Sequence, residues 1–266
     1  MLYFCVGGDL YYKISSDLGR SWSAGTKFFT QEAFDGNPKY VVNQMAILST
    51  GEWLLPFGTT APGYPRTAGK AGVLVSTDAG KTWTEHGDLQ IPKAPYVSAI
   101  LEPAISPDGD LILMRSGNGF LYRSRKVPAH TDAPRIPTWT DPTKTTLPNP
   151  NSRPSLCGTA TTLPSDPSRQ PPRHLFLASN PDNVNISNWP AWGRRSLLTI
   201  SAGTSTNATG MPAWTWQQMA VLEEDDGVSH CYPSVVHVGT HLVTAYSVYR
   251  QNVPRIGIKV ARTPVT

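Results

Sequence analysis

Short apolar runs bounded by Gly, Pro, Asp or Ser recur along the whole chain, and no stretch sustains a helical period. The pattern predicts an all-β fold built from hairpins. In SAILEPAISPDGDLILMRSG (98–117) two runs flank a turn at Ser106 to Gly109, and in YPSVVHVGTHLVTAYS (232–247) two runs flank Gly239-Thr240. VVNQMAILSTGEWLLPF (41–57) has the same form, and SLCGTATTL (155–163) finds its partner in HLFLASN (174–180) across a Pro-rich insertion. If Asp108-Gly109 is a two-residue turn, the numbers of facing residues sum to 217, which sets Glu102 opposite Arg115. By the same rule Tyr232 stands at the end of its hairpin away from Gly239-Thr240, opposite Ser247.

Between the hairpins an octet repeats. SSDLGRSW (15–22) returns as STDAGKTW (76–83), and degenerate copies run from Ser124 to Trp139 and from Ser201 to Trp216. The closing tryptophans, at 22, 83, 139 and 216, are 61, 56 and 77 residues apart. Repeats of that length, each holding two hairpins, predict four-stranded propeller blades within a single domain over 1–266. The octet explains itself as scaffold. Its Asp accepts hydrogen bonds from turn amides, its Gly supplies a positive φ, and its Trp packs between blades. Asp17 and Asp78 are therefore read as structural, because a catalyst has no need of its acid once per blade.

Composition narrows the function classes. A formal charge of +4 without any Lys/Arg run gives no nucleic-acid stripe, while an acidic sugar remains a compatible partner. The 25 Pro and 22 Gly belong to a chain that turns often. Cys5, Cys157 and Cys231 are odd in number and widely spaced, so they predict buried thiols rather than a disulfide framework, and no residue spacing demands a metal or a cofactor. MLYFCVGG lacks the basic lead-in and apolar length of a secretory signal, and no run is long enough for a membrane span. Sequons at Asn185 and Asn207 are close to what chance provides.

The two intact octets resemble the Asp boxes of the sialidase (neuraminidase) superfamily, and the intervening hairpins resemble its BNR-repeat members, over essentially the whole chain. That resemblance implies a six-bladed propeller with a Tyr nucleophile activated by a Glu, an Asp acid/base and three arginines that clamp a substrate carboxylate. Carried over by motif, Glu102 in LEPAI is the carboxylate partner, Arg115 in LILMRSG a clamp arginine, Arg195 in RSLLTI the next, with Arg194 as the register alternative, and Tyr232 in HCYPSVV the nucleophile. The chemistry suits an acidic sugar. A carboxylate can take the proton of a phenol, a neutral phenol approaches an anionic anomeric centre more easily than a carboxylate, and guanidiniums hold a carboxylate by bidentate bonds.

The family's first clamp arginine and its Asp acid/base precede the first box, where this sequence offers no counterpart. The blade count likewise comes to about four and a half. The expectation is a propeller of the six-bladed type with about four to five blades present and an N-terminal part lacking, extracellular if such a segment exists. His230, two residues before Tyr232, is a further candidate, expected on the same side of the strand as a proton-transfer group. Asp35 and Asn43 are candidates for a substrate loop, and Asn149 and Asn151 in LPNPNS (147–152) for rim hydrogen bonds. Three functions follow: an exo-glycosidase on a terminal acidic sugar, a lyase or rhamnose/uronate-directed hydrolase on acidic polysaccharide, and a non-catalytic carbohydrate-binding propeller.

Overall fold

The computed structural model describes residues 1–6, 9–29, 39–41, 43–59, 69–91, 101–117, 119–127, 138–159, 174–182, 195–206, 213–225, 227–250 and 253–265. Asp35, Arg194, Asn185 and Asn207 lie outside them. Among the described residues the regular elements are β-strands, arranged in five antiparallel sheets, in agreement with the four to five blades expected. The chain divides into two compact units, Met1–Thr145 and Thr146–Thr266.

The first unit holds three sheets. Strands β1 (Leu2–Val6), β2 (Asp9–Lys13) and β3 (Thr26–Phe29) form the first. Strands β4 (Lys39–Tyr40), β6 (Trp53–Thr59), β7 (Ala71–Ser76) and β8 (Thr84–Leu89) form the second, with β5 (Ala46–Ile47) also paired to β6. The third has β12 (Thr143–Pro148), β11 (Phe120–Arg125), β10 (Leu111–Met114) and β9 (Pro103–Ile105) side by side in that order. Strands β6 and β7 are buried on both faces, which is why their sequences read as unbroken apolar runs rather than alternating ones. One face packs Leu54, Val73 and Val75 with Ile105, Ile112 and Met114, and the other packs Leu55, Phe57 and Leu74 with Leu10. Truncating one such leucine to alanine costs about 2–5 kcal/mol.

The second unit holds two sheets. Strands β13 (Ser155–Gly158), β14 (His174–Ser179), β15 (Leu197–Thr206) and β16 (Ala213–Glu224) follow one another in order, and so do β17 (Val228–Val238), β18 (His241–Arg250) and β19 (Val253–Pro264). Val235 and Leu242 close a core with Cys157, Phe176, Ala178 and Ile200. Cys157 and Cys231 are buried thiols, and burial pushes Cys157 up to about 12, so it is inert at neutral pH.

Both octets fold as read. In the second, Asp78 accepts from the amides of Lys81 (3.0 Å) and Thr82 (2.8 Å) and from the Thr82 hydroxyl (2.6 Å), while Ser76 Oγ accepts from Gly80 N at 2.8 Å. Asp17 does the same with Ser21 N (2.9 Å) and Ser21 Oγ (2.6 Å). The left-handed turn takes two residues, Leu18-Gly19 in one box and Ala79-Gly80 in the other, at φ of 60° and 85° and of 56° and 86°. A Cβ on Gly80 would come within 2.8 Å of the Trp53 ring, so glycine is required there by space as well as by φ. Trp83 packs against Phe28 of β3 and against Trp53, spanning two sheets as expected, whereas Trp22 is 43% exposed and bonds the Gly19 carbonyl. Of the degenerate copies, Trp139 is buried with its indole on the Gly109 carbonyl, and Trp216 faces Gly203 in the β15–β16 hairpin.

Hydrogen bonds from Ser21 and Thr82 hold Asp17 and Asp78 down to about 2, against an ordinary 3.8. A depressed carboxyl stabilises the fold fully above its ordinary value, and that contribution disappears as pH falls through the folded value. The melting-temperature gap between wild type and Asp17→Asn/Asp78→Asn is therefore expected to be constant above about pH 4 and to close towards about pH 2. Thermal melts across that range check it.

Candidate functional site

In the first unit the β9–β10 register runs Ile105 to Ile112, Ala104 to Leu113 and Pro103 to Met114, a sum of 217 at each pair. One step further, Arg115 Nη1 lies 2.5 Å from Glu102 Oε2. The turn that sets this register is a β-turn in which Gly109 N bonds Ser106 O at 2.8 Å and Gly109 adopts φ 73°. The pair is buried, with 2% of the arginine and 12% of the carboxylate side chain exposed, and Arg115 Nε has no hydrogen-bond partner among the described residues. Asn43 donates to the Pro103 carbonyl at 2.7 Å and the Tyr40 hydroxyl to that of Leu101 at 3.4 Å, fixing the backbone on either side of Glu102. Asn43 thus acts on the strand that carries the carboxylate. Gly58 lets that strand in: a Cβ there would fall 2.3 Å from the Leu101 oxygen.

In the second unit the β17–β18 hairpin follows the expected register from Val238–His241 back to Ser234–Ala245, then slips by one. Cys231, not Tyr232, pairs with Ser247. The extra residue is a β-bulge in which Tyr232 and Pro233 together oppose Tyr246. Pro233 brings no N–H to the ladder, and Tyr232 takes φ 57°, the conformation that glycine usually supplies in a bulge of this kind. A tyrosine held there costs about 1–3 kcal/mol and marks a constrained position.

Two guanidiniums flank the Tyr232 ring. Arg195 Cζ is 5.0 Å from its centroid and Arg153 Cζ 5.6 Å. Arg195 is 7% exposed, donates to the Asn151 carbonyl at 2.8 Å, and its own carbonyl accepts from His230 N at 2.7 Å. Burial works to lower the Arg195 pKa, but the neighbouring Tyr232 hydroxyl and Cys231 thiol outweigh it and the net direction is upward, so the group stays cationic. Arg153 donates to the carbonyls of Tyr232 (2.9 Å) and Pro233 (3.4 Å).

The loop that supplies these partners is buried. Ser152 N bonds Asn149 Oδ1 (2.8 Å), Ser152 Oγ bonds Asn180 Oδ1 (2.6 Å), and Asn180 Nδ2 reaches the carbonyls of Leu197 and His230, both at 2.7 Å. Asn149 and Asn151, expected at a rim, are 0% and 4% exposed, and among the described residues Asn149 Nδ2 and Asn151 Oδ1 have no hydrogen-bond partner.

His230 does not share the surroundings of Tyr232. Its ring is edge-on to Tyr246, Nδ1 lies 3.4 Å from the Ser196 carbonyl, and Nε2 lies 3.6 Å from Glu223 Oε2. Tyr232 instead meets Tyr249 edge-on, a residue of opposite parity on β18. A regular strand would put both residues on one side, as expected from the sequence; the bulge breaks that alternation. The sequence reading also missed the cluster around His230, in which Glu223 accepts from the Tyr246 hydroxyl (2.5 Å) and from Lys259 (2.7 Å). Arg153 was missed too, one residue beyond LPNPNS; an arginine directly after a connection between strands was the available signal. Among the described residues no group of three or more His, Cys, Asp or Glu side chains could hold a metal ion, and no helix is long and apolar enough to cross a membrane.

Five sheets joined in sequence, with Asp-box turns between strands, define a β-propeller of the sialidase type. The chain belongs to the BNR repeat-like domain family, whose model matches residues 5–244. Among solved structures it is similar to a protein of unknown function from Dyadobacter fermentans, at 17% identity and a TM-score of 0.59, covering 100% of this chain and 67% of that one. It is also similar to Trypanosoma rangeli sialidase (15% identity, TM-score 0.54, 93% of this chain and 38% of that one). A third likeness is to the GH43 endo-arabinanase of Bacillus licheniformis (14% identity, TM-score 0.50, 98% and 88%). No curated protein matches in sequence.

Proposed function

We propose that this chain is a retaining exo-glycosidase that removes a terminal acidic, sialic-acid-like sugar from glycoconjugates. Tyr232 is the nucleophile and Arg195 holds the sugar carboxylate. For Glu102 and Arg115 of the first unit, the roles of carboxylate partner and clamp arginine rest on the resemblance of their motifs alone. The observation that carries the reading is the setting of Tyr232: a phenol at φ 57° in a bulge, with a buried, cationic Arg195 5.0 Å from its ring. Strain of that sort persists where the surrounding structure over-determines a side chain's direction. A guanidinium beside the ring gives an incoming carboxylate its counter-charge.

A fluorogenic aryl α-sialoside and an aryl α-uronide, incubated with the protein, test the proposal. Release of the aryl group together with the free acidic sugar supports it. An unsaturated, ultraviolet-absorbing product would assign a lyase instead, and saturable binding of sialic acid by calorimetry without turnover would assign a binding propeller. Under the proposal a 2,3-difluoro derivative of the sugar adds its glycosyl mass to the peptide containing Tyr232 and to no other.

A further inference from the structure

We infer that Arg153 is a positioning residue for Tyr232, a role that rests on the reading of Tyr232 as nucleophile. The bulge leaves two consecutive carbonyls, those of Tyr232 and Pro233, to be satisfied where the ladder slips between Cys231 and Ser234. One Arg153 nitrogen reaches both, at 2.9 Å and 3.4 Å, and its guanidinium carbon stands 5.6 Å from the Tyr232 ring centroid. A single side chain therefore binds the carbonyl of the left-handed residue and the carbonyl that follows it, and lies against the ring that this backbone projects. Arginine is the residue for that task. Its planar fork offers several donors in fixed directions and an aromatic-facing surface, whereas lysine offers a compact point charge. Bonds from a charged donor are also the stronger kind.

Arg153 is itself anchored from the loop of Asn149, Asn151 and Ser152, whose buried bonds reach Asn180 and so the carbonyl of His230, two residues before Tyr232. Arg195 is tied to the same loop through the Asn151 carbonyl. One loop thus sets the nucleophile's backbone and the clamp guanidinium together. Arg153 acts through Tyr232 and forms no bond to substrate.

The test compares wild type with Arg153→Ala, Arg153→Gln, Arg153→Lys and Tyr232→Phe on the aryl sialoside, with melting temperatures recorded alongside. Misplacement of a reacting group by about 1 Å costs about 10²-fold. Arg153→Ala is therefore expected to lose about 10²-fold in kcat with KM little changed. Arg153→Lys should fall between it and wild type, and millimolar guanidinium should restore part of the alanine variant's kcat. If the alanine variant does not fold, the glutamine and lysine variants carry the comparison. Variants with lowered melting temperature and wild-type kcat, or with raised KM and unchanged kcat, would overturn the positioning role while an inactive Tyr232→Phe left the nucleophile reading standing. Full activity in Tyr232→Phe, or no turnover by wild type, would overturn both.

Discussion

If Tyr232 is the nucleophile, Tyr232→Phe is expected to lose at least about 10³-fold in kcat on an aryl sialoside while its melting temperature stays close to that of wild type. The substitution removes one oxygen and leaves the ring where it is. The two guanidiniums at 5.0 Å and 5.6 Å contact the ring, as does Tyr249 edge-on at 6.4 Å, and phenylalanine keeps these contacts. Under the proposed reading, what disappears is the atom that would form the glycosyl bond. With a nucleophile removed, the residual rate reflects binding and electrostatics alone, so substrate affinity is expected to survive. The measurement is kcat and KM for both proteins at several pH values, with loss of the difluoro-sugar adduct as the covalent check. A variant with wild-type kcat would remove Tyr232 from the reaction.

Arg115→Met is the second large effect, and it reads out on stability. The guanidinium is 2% exposed and bonds Glu102 at 2.5 Å; its removal strands a carboxylate that is only 12% exposed. Breaking a buried pair by deleting one partner costs about 3–5 kcal/mol, whereas the intact pair contributes little net stability. For a chain of this size that corresponds to a fall in melting temperature of roughly 6–20 °C. Glu102→Gln/Arg115→Met together should lose less than Arg115→Met alone, because no charge is left behind. Calorimetry on the single and double variants checks the order. Glu102→Gln leaves Arg115 buried without its counter-charge and should also melt lower, so a catalytic role for the pair is read from loss of turnover measured at a temperature where that variant is still folded.

Much of this was legible in the sequence because it depended on local rules. The turn is longer than the two residues Asp108-Gly109, running between Ser106 and Leu111, but it shares their midpoint, so the register and the meeting of Glu102 with Arg115 came out as read. The octets announced the hydrogen bonds of their Asp; the serine that accepts from the glycine amide was not among them. The failures lie where a residue departs from the period of its strand. Nothing in YPSVV states that Tyr232 adopts a left-handed conformation; Pro233 was the one hint, and a Tyr-Pro pair reads as readily as extended chain. Asn149 and Asn151 were placed at a rim because LPNPNS reads as a connection between blades, yet the loop is buried, where Asn149 Oδ1 accepts from Ser152 N and the Asn151 backbone carbonyl accepts from Arg195. Arg153 depends on contacts with residues about eighty positions away along the chain, which no pattern within one strand contains.

The slip at Tyr232-Pro233 makes the length of β17 matter as much as its composition. Side chains alternate from one face to the other, so a chain one residue shorter at that point would keep the Gly239 turn and the buried Val235 and regain an unbroken ladder. It would also turn the phenol over to the side where His230 meets Tyr246. Among relatives, a gap of one position would then divide proteins more sharply than any exchange of one amino acid for another.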